Sequence, residues 1–164
     1  MRAFVKVVAL VLLPLAGLAA CEKKSDAAPT AAYDTSADSN KRFLADYAGR
    51  PGVTKLPDGL MYRVIKSGSG PAVLRGNDVV TVYYKGALIN GKVFDQTKDD
   101  PAQFPAGGLI PGWVEALAKM KTGDTWELVI PSDLGYGADG AGDAIPPDQT
   151  LVFTMSLVKV EYAN

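Results

Sequence analysis

Six aromatic side chains, Tyr84, Phe94, Phe104, Trp113, Tyr136 and Phe153, stand in segments of quite different local pattern. Taken singly, each reads as a core residue. Two details set the group apart. Tyr136 lies in a Gly-rich loop, where no ring is needed to fill a core, and Tyr84, Tyr136 and Trp113 bring polar tips into an otherwise apolar set. An apolar pocket with a few polar tips is the usual make-up of a small-ligand site. Such a set works by binding, desolvation and shape.

Other chemistries are excluded by counts. The chain has no histidine, which removes a Ser–His–Asp triad, a histidine base and histidine metal ligands. Its one cysteine, Cys21, removes disulfides, CxxC redox chemistry and a Cys-rich zinc site. Net charge is −1 with no Lys/Arg run, which argues against nucleic acid as a partner. Gly135-Tyr136-Gly137-Ala138-Asp139-Gly140 matches GxGxxG, but that motif needs a helix directly after it. Here Ala141-Gly142-Asp143-Ala144-Ile145-Pro146-Pro147 follows, which cannot be helical. Asp133, Asp139 and Asp143 lack the spacing of a calcium loop and read as solvated turn residues. No metal and no cofactor is expected.

The elements that must position the aromatics are legible from their punctuation. Pro111 suits the first position of a helix, and Trp113, Ala116, Leu117 and Met120 recur on one face of it. Lys119 and Lys121 fall in its last turn, with Gly123 as a left-handed cap. Strands are expected over Leu60–Lys66, Val79–Ile89, Lys92–Gln96, Thr125–Ile130 and Thr150–Glu161, with Asn90-Gly91 marking a hairpin. The apolar positions of the last strand change parity near Leu157–Val158, which predicts a bulge there. Thr97–Pro105 reads as irregular, and Pro131–Gln149, with four Gly and four Asp, as a long loop. Loops of that length tend to be functional. The sum is an α+β domain, a sheet wrapped around one helix.

The first 21 residues read as a leader: Arg2 and Lys6, then an apolar run too short to span a membrane comfortably, then Leu18-Ala19-Ala20-Cys21. This ending resembles a bacterial lipobox, whose Cys becomes a lipidated N-terminus. The reading implies a membrane anchor at Cys21, with the outer membrane favoured because Glu22 follows. Residues 22–51 read as a flexible tether with a short helix over 39–48, capped by Asp38 or Ser39. The domain proper is expected over 52–164.

Five motifs follow one another in register: Val82-Tyr83-Tyr84-Lys85-Gly86, Gly91-Lys92-Val93-Phe94-Asp95, Leu109-Ile110-Pro111-Gly112-Trp113, Leu134-Gly135-Tyr136-Gly137, and Ile145-Pro146-Pro147 through Thr150-Leu151-Val152-Phe153. Together they resemble the FKBP family of peptidyl-prolyl cis–trans isomerases, and Phe43–Leu60 is similar to the lead-in of bacterial envelope members of the Mip and FkpA type. The resemblance implies a five- to six-stranded antiparallel half-barrel around the one helix. It implies a proline ring seated over Trp113, within walls of Tyr84, Phe94, Phe104, Leu109, Ile110, Ile145 and Phe153. The Ile110 N–H and the Tyr136 hydroxyl would meet substrate carbonyls, and Asp95 would stand at the edge. Tyr84, Asp95, Trp113, Tyr136 and Phe153 are thus the expected catalytic set. Tacrolimus- and rapamycin-type inhibitors are expected ligands. Ala102 departs from the family, which often has an aromatic there, so one wall should be more open. The region before the domain is too short for the long helical dimerisation domain of those relatives, so a monomer is expected.

An isomerase of this kind twists an Xaa-Pro amide in exported proteins and needs no nucleophile. The alternative is a chaperone or adaptor that holds prolyl segments in the same pocket without turnover.

Overall fold

The computed structural model describes residues 33–164. The expected leader, Cys21 and the first part of the tether lie outside the described residues. The elements run α1 (Ala37–Ala48), β1 (Val53–Lys55), β2 (Met61–Lys66), β3 (Val79–Leu88), β4 (Val93–Gln96), β5 (Ala102–Pro105), α2 (Pro111–Lys119), β6 (Thr125–Ile130) and β7 (Leu151–Glu161). They build one antiparallel sheet of seven strands in the order β1-β2-β6-β7-β3-β4, with β5 also on β3. β3 holds β5 along Val79–Val82 and β4 along Lys85–Ala87, so one long strand presents two short ones in succession.

The parity change in β7 has the expected cause. Thr81 pairs with Lys159 and Val82 with Leu157, so Val158 bulges out, 44% exposed. Leu151, Phe153, Met155 and Leu157 all face the main core, together with Trp126, Leu128 and Ile130 of β6 and with Trp113, Ala116, Leu117 and Met120 of α2. Pro111 is the first residue of α2, as its fixed φ favours. The helix approaches β6 so closely that a Cβ on Gly112 would stand 2.6 Å from Ile130.

Four expectations need correction. Thr97–Pro105 is not irregular throughout, because Ala102–Pro105 completes the ladder of β3. Gly123 does not cap α2. The helix ends at Lys119 with Met120 extended, and Gly123 (φ +96°) instead turns the chain into β6. The first helix starts at Ala37, capped by the Ser36 hydroxyl on the Ser39 N–H, rather than by Asp38 or Ser39. A single helix does not account for the sheet either. α1 lies on the opposite face from α2, where Phe43 and Tyr47 bury themselves against Met61, Ile89, Val129 and Val152. β6 is buried on both faces for this reason, and residues 33–51 are packed structure rather than tether.

Two polar anchors hold α1 down. The Tyr47 hydroxyl donates to buried Glu127 (2.7 Å), which also accepts from Arg63 (3.3 Å). Asn40, 5% exposed, accepts from the Thr150 N–H (2.8 Å) at the start of β7.

Candidate active site

β3, β4, β5 and β7 each lend a ring to the concave side of the sheet, and the first turn of α2 faces them. Tyr84, Phe94, Asp95, Phe104, Leu109, Ile110, Trp113, Tyr136 and Phe153 together line a cavity of about 150 Å³. Tyr84, Phe104 and Phe153 stand nearly perpendicular to the Trp113 indole, at 81°, 85° and 82°, with centroids 5.1, 6.1 and 5.2 Å away. Phe94 meets Phe153 edge to face at 5.5 Å. Edge-to-face pairs of this kind hold each ring in place. The result is a cup with an indole floor and aromatic walls.

The polar tips are few. The Tyr84 hydroxyl donates to Asp95 Oδ2 at 2.6 Å. Burial, then that hydrogen bond and the carboxylate charge beside it, push the Tyr84 phenol up to about 12. Tyr84 is therefore neutral at physiological pH, and its proton is committed to Asp95. Tyr136 is 40% exposed, and its hydroxyl has no partner among the described residues. Ile110 precedes α2 as its N-cap, where a helix leaves its first N–H groups without internal acceptors. The indole N–H of Trp113 is buried and also without an acceptor among the described residues. The cavity thus offers an apolar cup, one carboxylate at its edge and one free hydroxyl.

Of the ten expected pocket residues, nine come together. Ile145 does not line the cavity. Its N–H and C=O both pair with Ala141 (3.1 and 2.8 Å), and the side chain lies in the main core, 4% exposed. Ala102 sits two residues before Phe104 in β5, so its small side chain shares the Phe104 face.

Two supporting residues escaped the sequence reading. A Cβ on Gly86 would lie 2.5 Å from Phe153 and 2.7 Å from Phe94, so the two rings pack over a backbone without a side chain. A glycine inside a β-rich strand is the signal for such close approach. Thr97 holds the backbone of Tyr84 through its Oγ1, accepting from the N–H (3.0 Å) and donating to the C=O (3.1 Å). Nothing local in the sequence marks Thr97.

The fold and the site define a class: a small α+β domain that presents an aromatic cup with hydrogen-bonding groups at its rim. Comparison with known proteins gives that class its family. Residues 70–158 match the model of the FKBP-type peptidyl-prolyl cis-trans isomerase, and residues 15–64 that of the domain amino-terminal to it. The chain is 42% identical over 140 residues to the FKBP-type 22 kDa peptidyl-prolyl cis-trans isomerase of Escherichia coli K12, covering 84% of this chain and 68% of that one. It is also 42% identical over 140 residues to the outer membrane protein MIP of Legionella longbeachae, covering 82% of this chain and 60% of the relative. Among solved structures, a peptidyl-prolyl cis-trans isomerase from Pseudomonas syringae pv. tomato superposes with TM-score 0.71 at 42% identity, over 76% of this chain and 92% of that one. FkpA from Escherichia coli gives 0.72 at 42% identity, over 76% and 59%. The chain belongs to the FKBP-type peptidyl-prolyl cis-trans isomerase family. It spans about two thirds of the first curated relative and less of the second.

Proposed function

We propose that this chain catalyses cis–trans isomerisation of Xaa-Pro bonds in polypeptides of the bacterial envelope. The observation that carries the reading is the cup itself, three rings standing perpendicular to the Trp113 floor with polar groups only at the rim. Kinship with FKBP-type isomerases of 42% identity supports it.

The mechanism follows from the amide. Rotation about a peptide bond faces a barrier of about 18–20 kcal/mol, because twisting breaks resonance. The twisted amide loses dipole and prefers a less polar surrounding. Seated over Trp113, the proline ring is fixed while the preceding carbonyl turns past Tyr84, Phe94 and Phe153. The Tyr136 hydroxyl and the Ile110 N–H reach substrate carbonyls, and Asp95, held by Tyr84, stands at the edge. Binding the twisted form better than either planar form is the whole requirement. A thousandfold acceleration needs about 4 kcal/mol of such preference.

The test is exchange spectroscopy by NMR on a short Xaa-Pro peptide with the purified protein, with and without tacrolimus. Catalysed exchange that the drug suppresses is the expected result. Peptide binding without accelerated exchange would instead identify a prolyl-peptide binder. Tyr136→Phe should lower kcat/KM about fivefold, the worth of one hydrogen bond near 1 kcal/mol. An unchanged value would remove Tyr136 from the substrate contacts.

The anchor belongs to the same proposal. Its support is Leu18-Ala19-Ala20-Cys21 together with kinship to an outer membrane protein. In cells fed radiolabelled palmitate, the protein should take up label and fractionate with outer membranes, and Cys21→Ser should abolish the label. A labelled Cys21→Ser variant would exclude this site.

A further inference from the structure

The loop that carries Tyr136 is tied to α1. Asn40 Nδ2 donates to the Ser36 and Thr35 carbonyls (3.0 and 3.4 Å) and to Gln149 Oε1 (3.3 Å), while its Oδ1 takes the Thr150 N–H (2.8 Å). Gln149 Nε2 in turn donates to Thr35 O (3.1 Å) and Pro147 O (2.9 Å). Both side chains are buried, 5% and 6% exposed. They meet across 109 residues of sequence.

The tie continues into the site. Asp148, beside Gln149, has φ +59°, the one positive φ on a non-glycine among the described residues. Such a backbone persists only where its surroundings over-determine it. There its N–H donates to Gly137 O (2.9 Å), the residue next to Tyr136, and Gly140 N–H donates to Tyr136 O (3.2 Å). The loop needs this help. Gly137, Gly140 and Gly142 all adopt positive φ, and open space surrounds the Cβ positions of Gly137 and Gly142. Its own sequence does little to restrict where Tyr136 stands.

We propose that Asn40 and Gln149 are positioning residues of the isomerase site, which fix Tyr136 through Asp148 and Gly137. The N-terminal helix is then part of the catalytic unit. This rests on the reading of the cup as a prolyl isomerase site with Tyr136 at its rim.

The test is a double-mutant cycle on the purified protein, read as kcat/KM on an Xaa-Pro peptide. Asn40→Ala and Gln149→Ala should each lose about fivefold, since small misplacements at a site are costly in rate. Added to Tyr136→Ala, either change should cost less than about twofold, because no ring remains to be placed. Amide exchange supplies the second readout. In Asn40→Ala, the Asp148 and Gly140 amides should exchange faster while the β3 and β6 amides keep their protection. Equal losses in both backgrounds, or faster exchange throughout the sheet, would overturn the proposal and leave a purely structural role. Should Asn40→Ala fail to fold, Gln149→Ala carries the same cycle, since it leaves the Asn40 bond to Thr150 in place. An inert parent protein would overturn the isomerase reading instead, and the exchange pattern would still decide the tie.

Discussion

Gly86→Ala is expected to lower kcat/KM on Xaa-Pro peptides by about a hundredfold and stability by about 1–3 kcal/mol. Gly86 sits between two strands, opposite Asp95 on β4 and Phe153 on β7. The space a methyl would need is filled by the ring of Phe153 at 2.5 Å and of Phe94 at 2.7 Å. Neither neighbour is the free end of a flexible chain. Phe153 is 3% exposed and locked edge to face on Trp113 and Phe94. The methyl can therefore enter only if both rings swing toward the cavity, which removes the volume that would receive the proline. The stability cost is that of overpacking, and the catalytic cost is larger because the walls themselves move. Thermal unfolding and exchange spectroscopy on the same sample separate the two. A variant that keeps parental turnover would show that the two rings do not form working walls.

The strands of this domain were legible because both of their physical signals act locally. Thr125–Ile130 is bounded by a turn on each side, and the parity change in β7 marked the bulge at Val158. The cup was legible by motif rather than by periodicity, since no short-range rule brings Tyr84, Phe104 and Trp113 together. What escaped depends on tertiary partners. β5 is four residues ending in proline, and it is a strand only because β3 offers an open ladder at Val79–Val82. Asn90-Gly91 correctly signalled a hairpin. Yet the turn closes from the Gly91 N–H to Leu88 O, with Gly91 alone at positive φ. Ile145 lies in the main core beside the cup, with its backbone paired to Ala141, a pairing invisible in sequence.

The docking of α1 leaves a trace in the sequence of the sheet itself. Met61, Ile89, Val129 and Val152 are apolar at positions facing away from α2, and a sheet with one solvated face would put polar residues there. Such a surplus of outward apolar residues asks for a second cover. Seen this way, the amino-terminal family match over residues 15–64 and the packed residues 33–51 describe one feature. Helix α1 is no idle chain, because Phe43 and Tyr47 build it into the back of the sheet.

That helix carries the second large effect. Phe43→Ala should cost about 3–5 kcal/mol, the usual range for truncating a fully buried aromatic. Phe43 is 1% exposed and lies between Tyr33 and Tyr47, with the Arg50 guanidinium 6.0 Å over its ring. Tyr47→Phe is the finer probe. It removes only the hydroxyl that donates to Glu127, leaving a buried carboxylate with the Arg63 contact alone, at about 1–3 kcal/mol. The pH dependence identifies the same group. Burial first, then the Glu127 hydrogen bond and its charge, hold the Tyr47 phenol well above its usual value. In the unfolded chain it ionises near pH 10. Above that pH the unfolded state releases a proton that the folded state keeps. Stability is therefore fully present below about pH 10 and falls as pH rises toward the folded value, by up to about 1.4 kcal/mol per pH unit from this group. Tyr84 adds to the fall in the same direction. Urea unfolding at about pH 8 and about pH 11 should show the parent losing more stability than Tyr47→Phe over that interval. Equal losses in the two proteins would mean that Tyr47 does not keep its proton against Glu127, and that α1 is held by its apolar face and Asn40 alone.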